Sequence, residues 1–354
     1  GSVVPPPAQD ELASSERSQS QAAMLGKVRD FLQSLVLLGL QRPAAAAVQQ
    51  GRSLMISCQG AALPRLAGLL SSVTEQLELG MLHNVQFSPA GLFGQMAHTD
   101  ALATALQRSL PALPRELTGE LRQEARPLGE LRGFGCAAHP WESRRGVTGL
   151  AVLIYDLDRQ HFWSWSLARR STQPGLDLSR EYRQAGIWHT GLTPQQLSPA
   201  PIRTVGGSAT AAGPPSQSRE TQLVSHASLP DNLQSSFGQR GFECWEQLTV
   251  YARRTAQLGL HLPQPLDSWV AVFPRFWGAP EFDSTEQSLG WPVGDAAGMQ
   301  LAVHIPWTAE SRAAIAGCEM LAAVPERLLG VVGQLAWQQG RLSLRPWSLL
   351  VTGE

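Results

Sequence analysis

Up to about Glu124 the apolar residues of this chain recur every three or four positions, and from about Leu128 onward they recur every two. Leu25, Val28, Phe31, Leu32, Leu35 and Val36 line one helical face, as do Leu66, Leu69, Leu70, Val73 and Leu77. Such spacing buries one stripe of a helix and leaves the rest to solvent. Leu102, Leu106 and Leu110 form a further stripe, and Pro114 opens a short helix carrying Leu117 and Leu121. Pro43 and Pro64 stand where helices begin, a position that tolerates proline because its missing N–H has no partner there. The period therefore predicts a bundle of four to six helices over residues 21–127, with the stripes as its core.

After the switch, GVTGLAVLIY (146–155) and HFWSWSLA (161–168) flank the turn residues DLDRQ, which predicts a β-hairpin; GFGCAAHPW is a further strand of the same sheet. PGLDLSREYRQAGIWHTGLTPQQL reads as an irregular excursion with short helical turns, completing a β-rich domain over 128–198. Ser, Thr, Pro, Gly, Ala and Gln dominate 199–229, which predicts a flexible linker or long loop. An amphipathic helix with Phe242, Trp245, Leu248, Thr249, Ala252 and Ala256 on one face opens a last domain, 230–354. There WVAVFPRFW reads as a strand with an edge or bulge at Pro274. In MQLAVHIPW the residues Met299, Leu301, Val303, Ile305 and Trp307 alternate with Gln300, Ala302, His304 and Pro306, a half-buried strand entered through the turn GDAAG. LLGVVGQLAW and RLSLRPWSLLV are joined by QQG as a second hairpin. The fold class is α+β: an N-terminal helical bundle followed by two small antiparallel β domains, each a barrel or a sandwich, with an OB-like barrel among the options.

Composition narrows the function. A chain of 354 residues with a net charge of -1 is not a globally basic nucleic-acid binder. Lys27 is the only lysine among 28 basic residues, an arginine bias of the kind GC-rich codon usage produces. Cys58, Cys136, Cys244 and Cys318 form no CxxC pair, which fits a reduced, cytoplasmic protein without a local zinc or redox motif. No apolar run reaches the roughly 18 residues of a membrane span. Gly1-Ser2 reads as a tag scar and residues 1–20 as a disordered tail, so the chain is expected to begin partway through a longer protein.

The motifs of reaction chemistry are missing. GxxxxGK[ST], HExxH and GxSxG do not occur. GFGCAA (Gly133 to Ala138) has the letters GxGxxA, but ELR precedes it and Pro140 interrupts the helix that would aim amides at a pyrophosphate. His139 and His161 lack a cysteine or carboxylate at ligand spacing, and Asp156 and Asp158 read as turn formers. No catalytic residue, metal ligand or cofactor is nominated, and the expectation is a protein that is not an enzyme, with an enzyme of unrecognised type as a further alternative.

Aromatic residues remain: 11 Trp against 3 Tyr. In HFWSWSLARR a strand puts His161, Trp163, Trp165 and Leu167 on one side and Phe162, Ser164, Ser166 and Ala168 on the other. One reading makes the two indoles core cover. The other makes Trp141, Arg144, Arg145, Trp163, Trp165, Arg169 and Arg170 a surface on which bases of single-stranded nucleic acid stack, or on which a protein partner docks.

The order of AAAAVQQGRSLMISCQGAALPRLAGLLSSVTEQ, ELRGFGCAAHPWESRRGVTGLAVLIYDLDRQHFWSWSLARR, GWPVGDAAGMQLAVHIPW and GQLAWQQGRLSLRPWSLL resembles the region that follows the zinc finger in bacterial SWIM zinc-finger family proteins. The resemblance implies a bacterial, cytoplasmic scaffold working beside a MoxR-type AAA+ ATPase or a von Willebrand A-domain protein, with protein or DNA as the bound partner. The finger pattern CxC…CxH is absent, so no zinc ligand is carried over.

Overall fold

The computed structural model describes residues 9–39, 45–83, 87–119, 126–127, 129–142, 147–170, 178–184, 192–198, 200–206, 208–209, 222–223, 232–256, 260, 266–307, 311–338 and 340–352. Gly1-Ser2, expected to be a tag scar, and the proline run after it lie outside these. The chain splits into two compact units, residues 1–123 with 258–262, and residues 124–257 with 263–354.

The first unit is helical: α1 (Gln9–Leu38), α2 (Ala45–Gly60), α3 (Pro64–Met81), α4 (Pro89–Arg108) and the short α5 (Arg115–Thr118). The expected stripes form its core, with Leu25, Val28, Phe31, Leu66, Leu70 and Leu102 almost fully buried; Val36 is instead 54% exposed at the end of α1. Pro64 occupies the first turn of α3 as expected, and Ser88 caps α4 by accepting a hydrogen bond from the Gly91 N–H. Part of the expected tail is ordered, because α1 starts at Gln9. Between Ala8 and Gly26 the chain holds no Pro or Gly, so a helix nucleated by the apolar stripe extends backward at little cost.

The second unit holds the strands. β1 (Arg126–Pro127) pairs with β6 (Ser208–Ala209). β2 (Leu131–Glu142), β3 (Val147–Asp156), β4 (His161–Arg170), β5 (Pro201–Val205) and β7 (Gln222–Leu223) form an antiparallel sheet in the order β4-β3-β2-β5-β7. The predicted hairpin is β3–β4, in unbroken register from Val147↔Arg170 to Asp156↔His161. Asp156 closes it: its buried carboxylate accepts from the Asp158 and Arg159 amides at 3.0 Å. The predicted excursion contains α6 (Leu178–Gln184) and α7 (Pro194–Leu197). Within 199–229, whose composition suggested a linker, β5 pairs with β2 from Pro201 to Thr204.

The rest of the chain contributes α8 (Leu233–Ser236), β8 (Gly241–Phe242), α9 (Trp245–Ala256), β9 (Trp269–Val272), β10 (Phe276–Trp277), β11 (Glu281–Asp283), β12 (Ser288–Gly294), β13 (Gln300–Pro306), α10 (Arg312–Ala322), β14 (Leu328–Gln338) and β15 (Arg341–Val351). The ladder runs β10-β12-β13-β15-β14-β9-β8, with β8 pairing parallel to β9. β9 and β10 follow one another in the chain, broken only around Pro274, so one kinked strand pairs with β12 at one end and β14 at the other and closes a barrel. The Arg275 N–H carries the ladder across the break by donating to the Gly294 carbonyl at 2.8 Å. The parallel pairing of β13 with β15, with α10 between β13 and β14, is the Greek-key arrangement of an OB-fold.

The barrel interior is filled by Leu289, Trp291, Val293, Leu301, Val303 and Leu344, and α9 adds Trp245 and Leu248. The five-stranded sheet packs on the outer wall of β9 and β14, where Phe134, Tyr155, Phe162 and Phe237 meet Trp269, Ala271, Phe273 and Val332 in one cluster. Both β segments thus belong to a single compact unit. On the opposite face of that sheet Val152, Ile154, Trp163 and Trp165 pack with Leu197 of α7.

Candidate functional site

Trp163 and Trp165 are 8% and 4% exposed. The Trp163 indole N–H donates to the buried Asp156 carboxylate at 3.2 Å, and His161 meets the Trp163 ring edge-on at 5.2 Å. Neither indole presents a face to solvent. Trp141 lies on the other side of the sheet, since it registers with Gly149, covers that residue, and donates to Ser166 Oγ at 2.9 Å. The three tryptophans therefore do not share a surface. Arg144 and Arg145 lie outside the described residues, and of Arg169 and Arg170 only the strand backbone, opposite Thr148 and Val147, is described.

The letters GFGCAA belong to β2. A side chain at Gly135 would overlap the carbonyl oxygen of Leu197, and one at Gly133 that of Tyr155. Gly133 admits the neighbouring strand β3 and Gly135 admits α7 at close backbone approach, and Cys136, between Gly135 and Ala137, is the extra residue of a β-bulge.

His139 stacks on Trp347 at 4.9 Å. Burial holds its pKa below the ordinary 6.5, and the Arg345 guanidinium adds to the depression. Burial does the same to His161. Between the ordinary value and these lower ones the unfolded chain binds protons that the folded chain refuses, so stability falls as pH drops through that window. Urea midpoints of the protein are expected to be level well above the ordinary histidine pKa and to decline as pH falls through and below it, with a shallower decline in His139→Gln. A level profile over that range contradicts the depressed values.

The barrel face left open by the five-stranded sheet is that of β12 and β13. Leu289, Trp291 and Val293 point inward, so Gly290 and Pro292 point outward; on β13 the outward set is Gln300, Ala302, His304 and Pro306. Gly290 registers with His304 and Pro292 with Ala302, so the floor is low at Gly290 and Ala302, while the His304 ring stands beside Gly290 and interacts electrostatically with Asp283. A Cβ at Gly290 would meet nothing nearer than the Glu281 carbonyl oxygen at 3.8 Å. On one flank β11 sets Glu281 beside Gly290 and Asp283 beside Ser288. On the other, the register Ala302↔Ser343 places Arg341 and Arg345 along β15, both exposed.

Asp283 accepts from the Glu286 and Thr285 amides, which hold its carboxyl below the usual range and keep it charged. Among the described residues neither Glu281 nor Arg341 has an ion-pair partner. Exposed Phe276, at 60%, and Trp307, at 50%, mark the two ends of the β12–β13 ladder. The sequence had supplied the outward residues of β13 through their alternation. It had not supplied the flanks: β11 is a three-residue strand in a short hairpin with β12, and the place of β15 depends on a parallel pairing between distant segments.

Among the described residues no group of His, Cys, Asp or Glu is arranged to hold a metal ion, and no helix is long and apolar enough to cross a membrane. Residues 267–354 match a family described as the YehQ C-terminal OB-fold domain, a match confined to the barrel. No curated protein and no solved structure matches the chain.

Proposed function

We propose that this chain is a non-catalytic interaction scaffold that binds a protein partner across the open β12–β13 face of its barrel. By the SWIM resemblance the partner is an AAA+ ATPase or a von Willebrand A-domain protein, and the site of action is the cytoplasm. The observation that carries the choice of protein is charge. Residues 267–354 contain nine Asp and Glu against five Arg and no Lys, whereas nucleic-acid affinity comes chiefly from cations that neutralise phosphates. The faces of OB-folds formed by strands two and three bind oligonucleotides and oligosaccharides, but here that face carries carboxylates on one flank, which disfavours a phosphate backbone. Burial of Trp163 and Trp165 removes the stacking platform that single-stranded nucleic acid would need from the other sheet.

Titration of the purified chain with a purified MoxR-type ATPase and a purified von Willebrand A-domain protein of the same organism, and in parallel with a labelled oligo-dT, tests the proposal. Saturable binding to one of the proteins and none to oligo-dT at about 0.15 M salt is expected. Oligo-dT binding that weakens steeply with salt, without binding to either protein, would replace the scaffold reading with nucleic-acid recognition.

A further inference from the structure

The flanks of the open face are of opposite sign, and this limits what can lie between them. In the row of Gly290 and His304 the edges are Glu281 and, by extension of the β13–β15 register, Arg345; Asp283 and Arg341 continue the two edges in opposite directions. The edges are three strand spacings apart, roughly 14 Å. A polyanion that approached the arginines would also meet Glu281 and Asp283. A polycation would meet Arg341 and Arg345. An extended polypeptide satisfies both edges, because its successive side chains point to opposite sides.

We infer that the face binds an extended polypeptide segment of the partner in which basic and acidic side chains alternate. The basic ones point toward Glu281 and Asp283, and the acidic ones toward Arg341 and Arg345. The inference rests on the reading of the β12–β13 face as the docking surface and adds the chemistry of what docks. The peptide backbone fits over Gly290 and Ala302, where the floor is low, and passes the His304 ring that interacts with Asp283 on the acidic edge. About five residues of ligand, at roughly 3.4 Å each, cover the charged stretch.

The test is selection of a phage-displayed random peptide library on the full chain, followed by anisotropy titrations with the enriched peptides and with oligo-dT. Enriched peptides are expected to alternate in charge. Their affinity is expected to drop at least about tenfold, or about 1.4 kcal/mol, in Glu281→Lys/Asp283→Lys and in Arg341→Glu/Arg345→Glu. Gly290→Trp fills the floor and is expected to abolish binding; Ala302→Arg serves the same purpose should the first variant fail to fold.

Peptides of a single charge sign, or alternating ones indifferent to both reversals, overturn the inference. If the floor variants still abolish their binding, the docking face itself stands. Peptides that bind the floor variants as well as the parent overturn both the inference and the face. Oligo-dT binding that a floor variant removes leaves the face in place with a different ligand and overturns the polypeptide inference.

Discussion

Gly135→Ala is expected to destabilise the β unit by more than about 3 kcal/mol, beyond the usual range for one added methyl in a packed core. The reason is what the methyl would meet. At Gly135 a Cβ would fall on the Leu197 carbonyl oxygen and 2.6 Å from that of Ser198, and neither is a side chain that can rotate away. The close approach is fixed from both sides, since the Gly135 N–H donates to the Ala200 carbonyl at 2.9 Å and α7 seats Leu197 in the core cluster of that face. Relief would require α7 to leave the sheet, exposing Trp163, Trp165 and Ile202. Gly290→Ala is the matched control, because its methyl enters open space; it is expected to change stability by less than about 0.5 kcal/mol. Urea unfolding followed by tryptophan fluorescence reads both, and equal midpoints for the two variants would refute the packing argument. The comparison also separates two meanings of GFGCAA. Glycines serving a nucleotide would be lost to binding with the fold intact, whereas these are lost to the fold.

How far the sequence discloses this molecule follows from how local each feature is. Helical stripes, the hairpin around Asp156 and the break at Pro274 are set by residues within a turn or two of one another, and they are where the periodicity places them. The alternation in HFWSWSLARR likewise puts Trp163 and Trp165 on the same side. Trp141 shows where locality ends: its side of the sheet depends on the register of β2 against β3, and a one-residue change of register would exchange the faces. Residues 199–229 have the composition of a linker, yet Ile202 is fully buried in a strand; pairing with β2 outweighs local propensity, as is common for strands. The open barrel face is least legible of all. Its edges come from residues some sixty positions apart, joined by the parallel β13–β15 contact that no hairpin pattern announces.

Asp295→Ala is expected to cost about 2–4 kcal/mol, because it leaves the buried Trp245 amide and the part-buried amides of Ala297 and Met299 without their acceptor, and an orphaned buried donor costs about 1–3 kcal/mol. Asp295 is 1% exposed. One carboxylate oxygen accepts from the Ala297 and Met299 amides at 3.0 and 2.8 Å and so shapes the β12–β13 turn; the other accepts from the Trp245 amide at 2.9 Å. Trp245 is the first residue of α9, so a carboxylate from a turn fifty residues away does the work of an N-cap, and its charge suits the positive end of the helix. The Trp245 indole N–H, which donates to the Val293 carbonyl at 3.1 Å, seats the same helix end on β12. Asp295→Asn keeps one acceptor oxygen and offers an N–H₂ group where the other stood, so it is expected to lose about half as much. Hydrogen exchange distinguishes this account from general loosening: protection at Trp245, Ala297 and Met299 is expected to fall first in both variants, while the β14–β15 ladder holds until global unfolding. Uniform loss of protection, or an alanine variant within about 1 kcal/mol of the parent, would show that the turn and the helix are held by something other than this carboxylate.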